Sequence, residues 1–185
     1  SRDVSLFDRF ARPYDLLMPG TDVAALRAGL SMADRPVERV LDVGGGTGRA
    51  VRALERPERV VVDASRRMLE RARSQGLETL QADAGHLPVR DDSVDVVLGE
   101  CVYCLPEDRP RALREARRTL RPGGRLALSD VVVAGSLPPP PDPIVRALCV
   151  SHASSRAETT ATVAAAGLGV DDVSGPPSAA PAVLG

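Results

Sequence analysis

Asp42, Gly44, Gly45, Gly46, Thr47, Gly48 and Asp63 are the residues whose types and spacing point most directly to chemistry. Four glycines occupy five positions in "LDVGGGTGRA", straight after an apolar run. Glycine weakens strands and helices alike, so a cluster implies a backbone that must turn tightly or let a ligand approach closely. A strand, a glycine turn and a helix together form a nucleotide-binding design, in which the helix start offers unpaired amides. That design needs a carboxylate at the end of the next strand, about 20 residues on, to hold ribose hydroxyls. Asp63 closes "RVVVD" at that place. A pyrophosphate-binding turn, G-x-G-x-x-G, would require glycine where Arg49 stands. Asp42 puts an acid beside the turn, which suits an ammonium group and disfavours a pyrophosphate.

The elements that must position these residues follow from hydrophobic patterning. Short apolar runs over 39–43, 59–62, 79–81, 93–99 and 125–133 predict five strands. Helices are expected over 50–54, from a Ser65 cap to Arg73, over 107–120 and over 155–166. "RPGG" at 121–124 should stop the third of these, and Gly76 and Gly167 the second and fourth. Before the first strand, 4–18 reads as a helix with Leu6, Phe7, Phe10, Tyr14 and Leu17 on one face, and 23–32 as another capped by Thr21 or Asp22. "GVDDVSG" predicts a sixth strand, and part of the tail a seventh. The runs are nearly continuous rather than alternating, as in a parallel sheet covered on both faces. The fold expected is α/β, doubly wound and mostly parallel. It forms one domain: cap helices over 1–36, a ligand-binding core over 37–133 and an acceptor-side segment over 134–185, where "SLPPPPDP" is stiff and extended.

Composition narrows the function. The chain has 185 residues, enough for one real core, and a formal net charge of -1, so no basic surface advertises nucleic acid. No apolar stretch is long enough for a membrane span, and the first residues lack a signal-peptide core, so a cytoplasmic location is expected. All 24 basic residues are arginine. Those at 109, 111, 114, 117 and 118 alternate with acids and read as a solvated helix face.

The loop "DVGGGTG" resembles the first motif of the class I S-adenosylmethionine-dependent methyltransferases. The resemblance continues through "VVVDAS" with Met68, "QADAGHLPV", "DDSVDVVLGE" and "REARRTLRPGGRLALSD", in order, over roughly 37–133. It implies a methyl donor, S-adenosyl-L-methionine, with Asp63 on the ribose, Ala64 and Met68 flanking the adenine, Asp83 near its amino group and Ala84 under the ring. Glu100 and Cys101 would pass beside the methionine part. "FDRFARPYDLLMP" resembles the opening helix of the ubiquinone and menaquinone biosynthesis methyltransferases, which implies that Tyr14 and Asp15 lie over the cofactor. The function expected is methyl transfer to a small-molecule acceptor, with Tyr103 lining the acceptor pocket. His86 is expected to decorate the loop near the adenine.

Other readings compete. "ECVYCLPED" and "LCVSHA" resemble parts of the arsenite methyltransferases, which implies trivalent arsenic on Cys101 and Cys149, though the cysteine that family carries before the first motif is absent. Cys101, Cys104, Cys149 and His152 would be a zinc set on paper, but the first pair lies in a cofactor loop without a matching knuckle. A non-catalytic adenosylmethionine-binding module is the alternative outside the enzymes. A nicotinamide dehydrogenase is opposed by the loop spacing and by Asp42.

Overall fold

A computed structural model describes residues 4–11, 13–17, 30–31, 36–55, 57–130, 132 and 153–171. The described elements are α1 (Val4–Phe10), α2 (Tyr14–Leu17), β1 (Arg39–Val43), α3 (Arg49–Arg52), β2 (Glu58–Asp63), α4 (Arg66–Ser74), β3 (Glu78–Gln81), β4 (Val94–Glu100), α5 (Arg109–Thr119), β5 (Leu120–Ser129) and α6 (Arg156–Ala165). The five strands form one sheet in the order β3-β2-β1-β4-β5, with every pairing parallel. The chain steps outward from β1 to β3, then crosses back to place β4 on the other side of β1. The crevice where ligands bind in such sheets therefore lies at the carboxyl ends of β1 and β4.

Burial follows the pleat. In β1, Val40 packs with Val51, Leu54, Val61, Leu69 and Ala72 on one face. Its neighbours Leu41 and Val43 pack with Val97, Ala112, Leu113 and Ala116 on the other. This two-sided burial is why the runs read as continuous. Ser65 caps α4 by accepting from the Met68 amide at 3.2 Å, Asp108 caps α5, and Ser155 and Glu158 form a capping box on α6.

Three expectations need correction. The 4–18 helix is two short ones, because Pro13 has no amide to donate and disfavours helical backbone before it. The fifth strand begins at Leu120, not Arg125: Leu120 already pairs with Val94, and "RPGG" is absorbed as an irregularity before Arg125 pairs with Val96. Gly124 is tight there, since a Cβ would lie 2.9 Å from the Asp95 carbonyl oxygen. Gly169–Asp171, the start of the expected sixth strand, are not in a strand. The rest of that strand, the tail, "SLPPPPDP", most of 23–32, Cys149 and His152 lie outside the described residues.

The face of α5 is also more than solvated. Arg118 donates to the carbonyls of Leu87 and Val89 and pairs with Glu115 and Asp91. Arg111 donates to the Gly85 carbonyl and contacts His86, and Arg117 to the Gly167 carbonyl. Glu115 accepts from the Leu87 amide. The Arg117 bond holds the end of α6, and the others hold the helix-free connection from β3 to β4 against α5. Among the described residues no helix is long and apolar enough to cross a membrane.

Candidate cofactor-binding site

β1 delivers the chain into the glycine turn. Gly44 and Gly45 donate to the Val62 carbonyl at 2.7 and 3.3 Å, which ties the turn to β2. Gly44 and Gly48 have φ of +66° and +76°, and Cβ atoms there would meet Val102 at 2.3 Å and Leu77 at 2.2 Å. Only glycine fits either place. Gly46 differs: its φ is +55°, but the one atom within 4 Å of a Cβ would be the Met68 sulfur, at 3.8 Å. It faces open space.

That space is a cleft lined by Tyr14, Gly44, Gly46, Asp63, Ala64, Met68, Asp83, Ala84, Glu100 and Cys101 among the expected residues. Val4, Phe7, Leu105 and Pro106 add apolar wall. Asp63 anchors its rim. The Gly46 amide donates to its Oδ2 at 2.9 Å and the Ser65 amide to its Oδ1 at 2.7 Å. Burial raises the Asp63 pKa, and these two amides oppose that rise. Two carboxylate oxygens have about four acceptor positions, so capacity remains for a ligand's hydroxyls. Asp83 accepts from the Gly85 amide at 2.8 Å, which orients it at the cleft edge.

Gly45, Thr47, Gly48 and Asp42 do not line the cleft; they build it from behind. The Thr47 hydroxyl donates to Asp15 at 2.6 Å, and the Ser65 hydroxyl donates to Asp8 at 2.6 Å. The N-terminal helices are thus pinned to the loops after β1 and β2, with Phe7 and Tyr14 toward the cleft. Asp15→Ala should loosen this cover and weaken cofactor binding roughly threefold to tenfold, the scale of one partly exposed bond to a charge. Calorimetry would measure it, and unchanged affinity would show the pin to be incidental.

Asp42 lies under the turn. It is 1% exposed, and a Cβ on Gly45 would be 2.4 Å from its carboxylate. Neither oxygen has a hydrogen-bond partner among the described residues. Burial first, then the negative charges of Glu100 and Asp63, push its pKa up to about 8. The folded state therefore holds a proton that the unfolded chain gives up near pH 4, so stability falls as pH rises from about 4 toward about 8. Asp42→Asn should raise the thermal midpoint of the ligand-free protein by roughly 5 °C at pH 8 and by little at pH 4. A gap independent of pH would contradict this.

Tyr103, expected to line an acceptor pocket, is 0% exposed and packed on Gly99, where a Cβ would be 2.4 Å from its ring. The only sequence signal was Gly99 just ahead of the loop. Cys101 lines the cleft with φ +52°, while the Cys104 thiol turns inward to Asp130. Cys149, the other half of the arsenic pair, is outside the described residues. No group of His, Cys, Asp and Glu side chains among the described residues could hold a metal ion.

Residues 41–128 match the family model "Methyltransferase domain". A solved S-adenosylmethionine-dependent methyltransferase of Thermotoga maritima superposes with a TM-score of 0.57 at 33% identity, covering 68% of this chain and 60% of that one. The chain belongs to the class I S-adenosylmethionine-dependent methyltransferases. Members of this family take S-adenosylmethionine as methyl donor. Methyltransferase GfsG of Streptomyces halstedii is 42% identical over 123 residues, 60% of this chain and 44% of that protein. The demethylmenaquinone methyltransferase of Thermotoga maritima is 36% identical over 138 residues, 69% of this chain and 60% of that protein. The chain thus spans about half the length of these two methyltransferases.

Proposed function

We propose that this methyltransferase binds S-adenosylmethionine in the cleft and transfers its methyl group to a small-molecule acceptor. The observation that carries the reading is the Asp63 carboxylate, fixed by two amides at the rim of a cleft into which Gly46 projects nothing. Asp63 would hold the ribose diol. Ala64, Met68 and Ala84 offer apolar surface for the adenine, and Asp83 an acceptor for its amino group. The buried carboxyl of Asp42, unpartnered among the described residues, would on ionising supply the countercharge that an ammonium group needs, directly or through water. Glu100 and Cys101 also line the cleft and would pass beside the methionine part.

When bound, S-adenosylmethionine supplies an electrophilic methyl on a sulfonium, open to in-line displacement. What the chain must add is position. Tyr14 and Phe7 cover the cleft, and the pins at Asp8 and Asp15 keep them there, which limits water at the reacting end. The test is calorimetric titration with S-adenosylhomocysteine, with NAD as control, followed by radiolabelled methyl transfer to quinols, phenols and arsenite. Binding of the first ligand alone supports the reading. A chain that binds it yet methylates nothing is the binding module.

A further inference from the structure

The turn after β3 is built around one glycine. The His86 amide donates to the Asp83 carbonyl at 2.9 Å, which closes the turn, and the Gly85 amide donates to Oδ1 of the Asp83 side chain at 2.8 Å. The Gly85 carbonyl accepts from Nε of Arg111 at 3.0 Å, and another guanidinium nitrogen of Arg111 contacts Nε2 of His86. Gly85 is buried between the two side chains: a Cβ there would lie 3.1 Å from Asp83 Oδ1 and 3.6 Å from Arg111 Cδ. Arg111 reaches it from a firm base. Its own amide donates to the Asp108 cap of α5 at 2.9 Å, and the next residues on the helix, Ala112 and Leu113, are 0% exposed. Asp83 lines the cleft and spends one oxygen on this arrangement; Oδ2 accepts from no described residue.

We propose that Arg111 is a positioning residue for adenine recognition: from the face of α5 it fixes Gly85, Gly85 fixes Asp83, and the remaining carboxylate oxygen is held so that it accepts from the exocyclic amino group and rejects a carbonyl in the same place. This rests on the S-adenosylmethionine reading proposed above. The side chain of an exposed aspartate has several rotamers open to it, and its terminal torsion is broad. Tying Oδ1 to a fixed amide removes that freedom and leaves Oδ2 with its lone pairs in one direction. A carboxylate is an acceptor only, so an N–H is welcome there and a carbonyl oxygen is not. Arg111 is not among the residues that line the cleft, so it acts only through the turn. Arg118 on the same helix is the natural comparison. It donates to the carbonyls of Leu87 at 2.9 Å and Val89 at 2.8 Å, on the same connection but beyond the turn.

Two measurements test this. The first needs no ligand. Hydrogen exchange of the Gly85 amide, followed by nitrogen-15 NMR, should quicken roughly tenfold in Arg111→Ala, while core amides such as that of Val97 keep their rates. A Gly85 amide that exchanges as in the wild type overturns the proposal. The second is calorimetry with S-adenosylhomocysteine and with S-inosylhomocysteine, its deaminated analogue, which carries a carbonyl where adenine has the amino group. The wild type should prefer the first by roughly thirtyfold, the scale of a bond to a charged acceptor. Arg111→Ala should cut that preference to about fivefold or less, and Arg111→Lys, which keeps a donor for the Gly85 carbonyl, should retain most of it. Arg118→Met should lower the thermal midpoint and leave the preference intact. A preference that survives in Arg111→Ala, or falls as far in Arg118→Met, makes Arg111 an ordinary structural tie and overturns the proposal. Equal binding of both ligands by the wild type overturns it too, and leaves the cofactor class standing. Binding of neither ligand, with the Gly85 amide responding as expected, sinks the cofactor assignment and leaves the hold of Arg111 on Gly85 and Asp83.

Discussion

Gly46→Val will abolish binding of S-adenosylhomocysteine and leave the protein folded. The two effects separate because of what surrounds this one glycine. A Cβ at Gly44 or Gly48 would run into Val102 or Leu77, inside the core, so substitution there damages the fold itself. A Cβ at Gly46 meets only the Met68 sulfur at 3.8 Å, on the cleft side. The protein tolerates the added atoms; the ligand does not. Some stability is still lost, because φ of +55° is strained for any residue but glycine, by roughly 1–2 kcal/mol. The expected pattern is a native circular-dichroism spectrum, a thermal midpoint lowered by a few degrees, and no detectable heat of binding. Gly46→Ala should fall between, with the same strain and less intrusion. If valine binds the ligand normally, the cleft is not where the cofactor lies.

This distinction among glycines could not be drawn from the sequence, although the turn itself could. What the sequence expresses well is local. Strand β1 begins and ends where the apolar run does, and the Ser65, Asp108 and Ser155 caps fall at helix starts. Asp63 was legible because motif spacing fixes the end of a strand next to the turn. What it expresses poorly is the partner chosen across the chain. Thr47 reads as a ligand contact because it lies in the turn, yet its hydroxyl goes to Asp15, 32 positions away. The arginines of α5 read as solvated because charge on a helix usually is, yet Arg118 spends its donors on carbonyls 29 and 31 positions away. Tyr103 reads as a residue of the acceptor pocket. Only the packing on Gly99 turns it inward, and that depends on the course of the loop after β4. In each case the residue type announces a donor or a ring, and the tertiary fold decides where it points.

Asp63→Ala should weaken S-adenosylhomocysteine binding by roughly a hundredfold, more than the loss of one ordinary hydrogen bond, because two separate contributions disappear together. The first is the proposed pair of ribose contacts, each a bond to a charged acceptor. The second is preorganisation. Asp63 also holds the Gly46 and Ser65 amides, so the turn after β1 and the cap of α4 are set by the same carboxylate that is proposed to meet the ligand. Without it the turn must be ordered at the expense of binding. Asp63→Asn tells the two apart. Its single amide oxygen can still accept from one of the amides, so more of the turn should survive, and the loss should be nearer tenfold. Neither change should unfold the protein, since both orphaned amides open onto the cleft and can be hydrated. Equal losses for alanine and asparagine would place the whole effect on the ribose and none on the turn. An alanine variant that binds as the wild type does would remove Asp63 from the site, and with it the strongest support for the way the cofactor lies across β1 and β2.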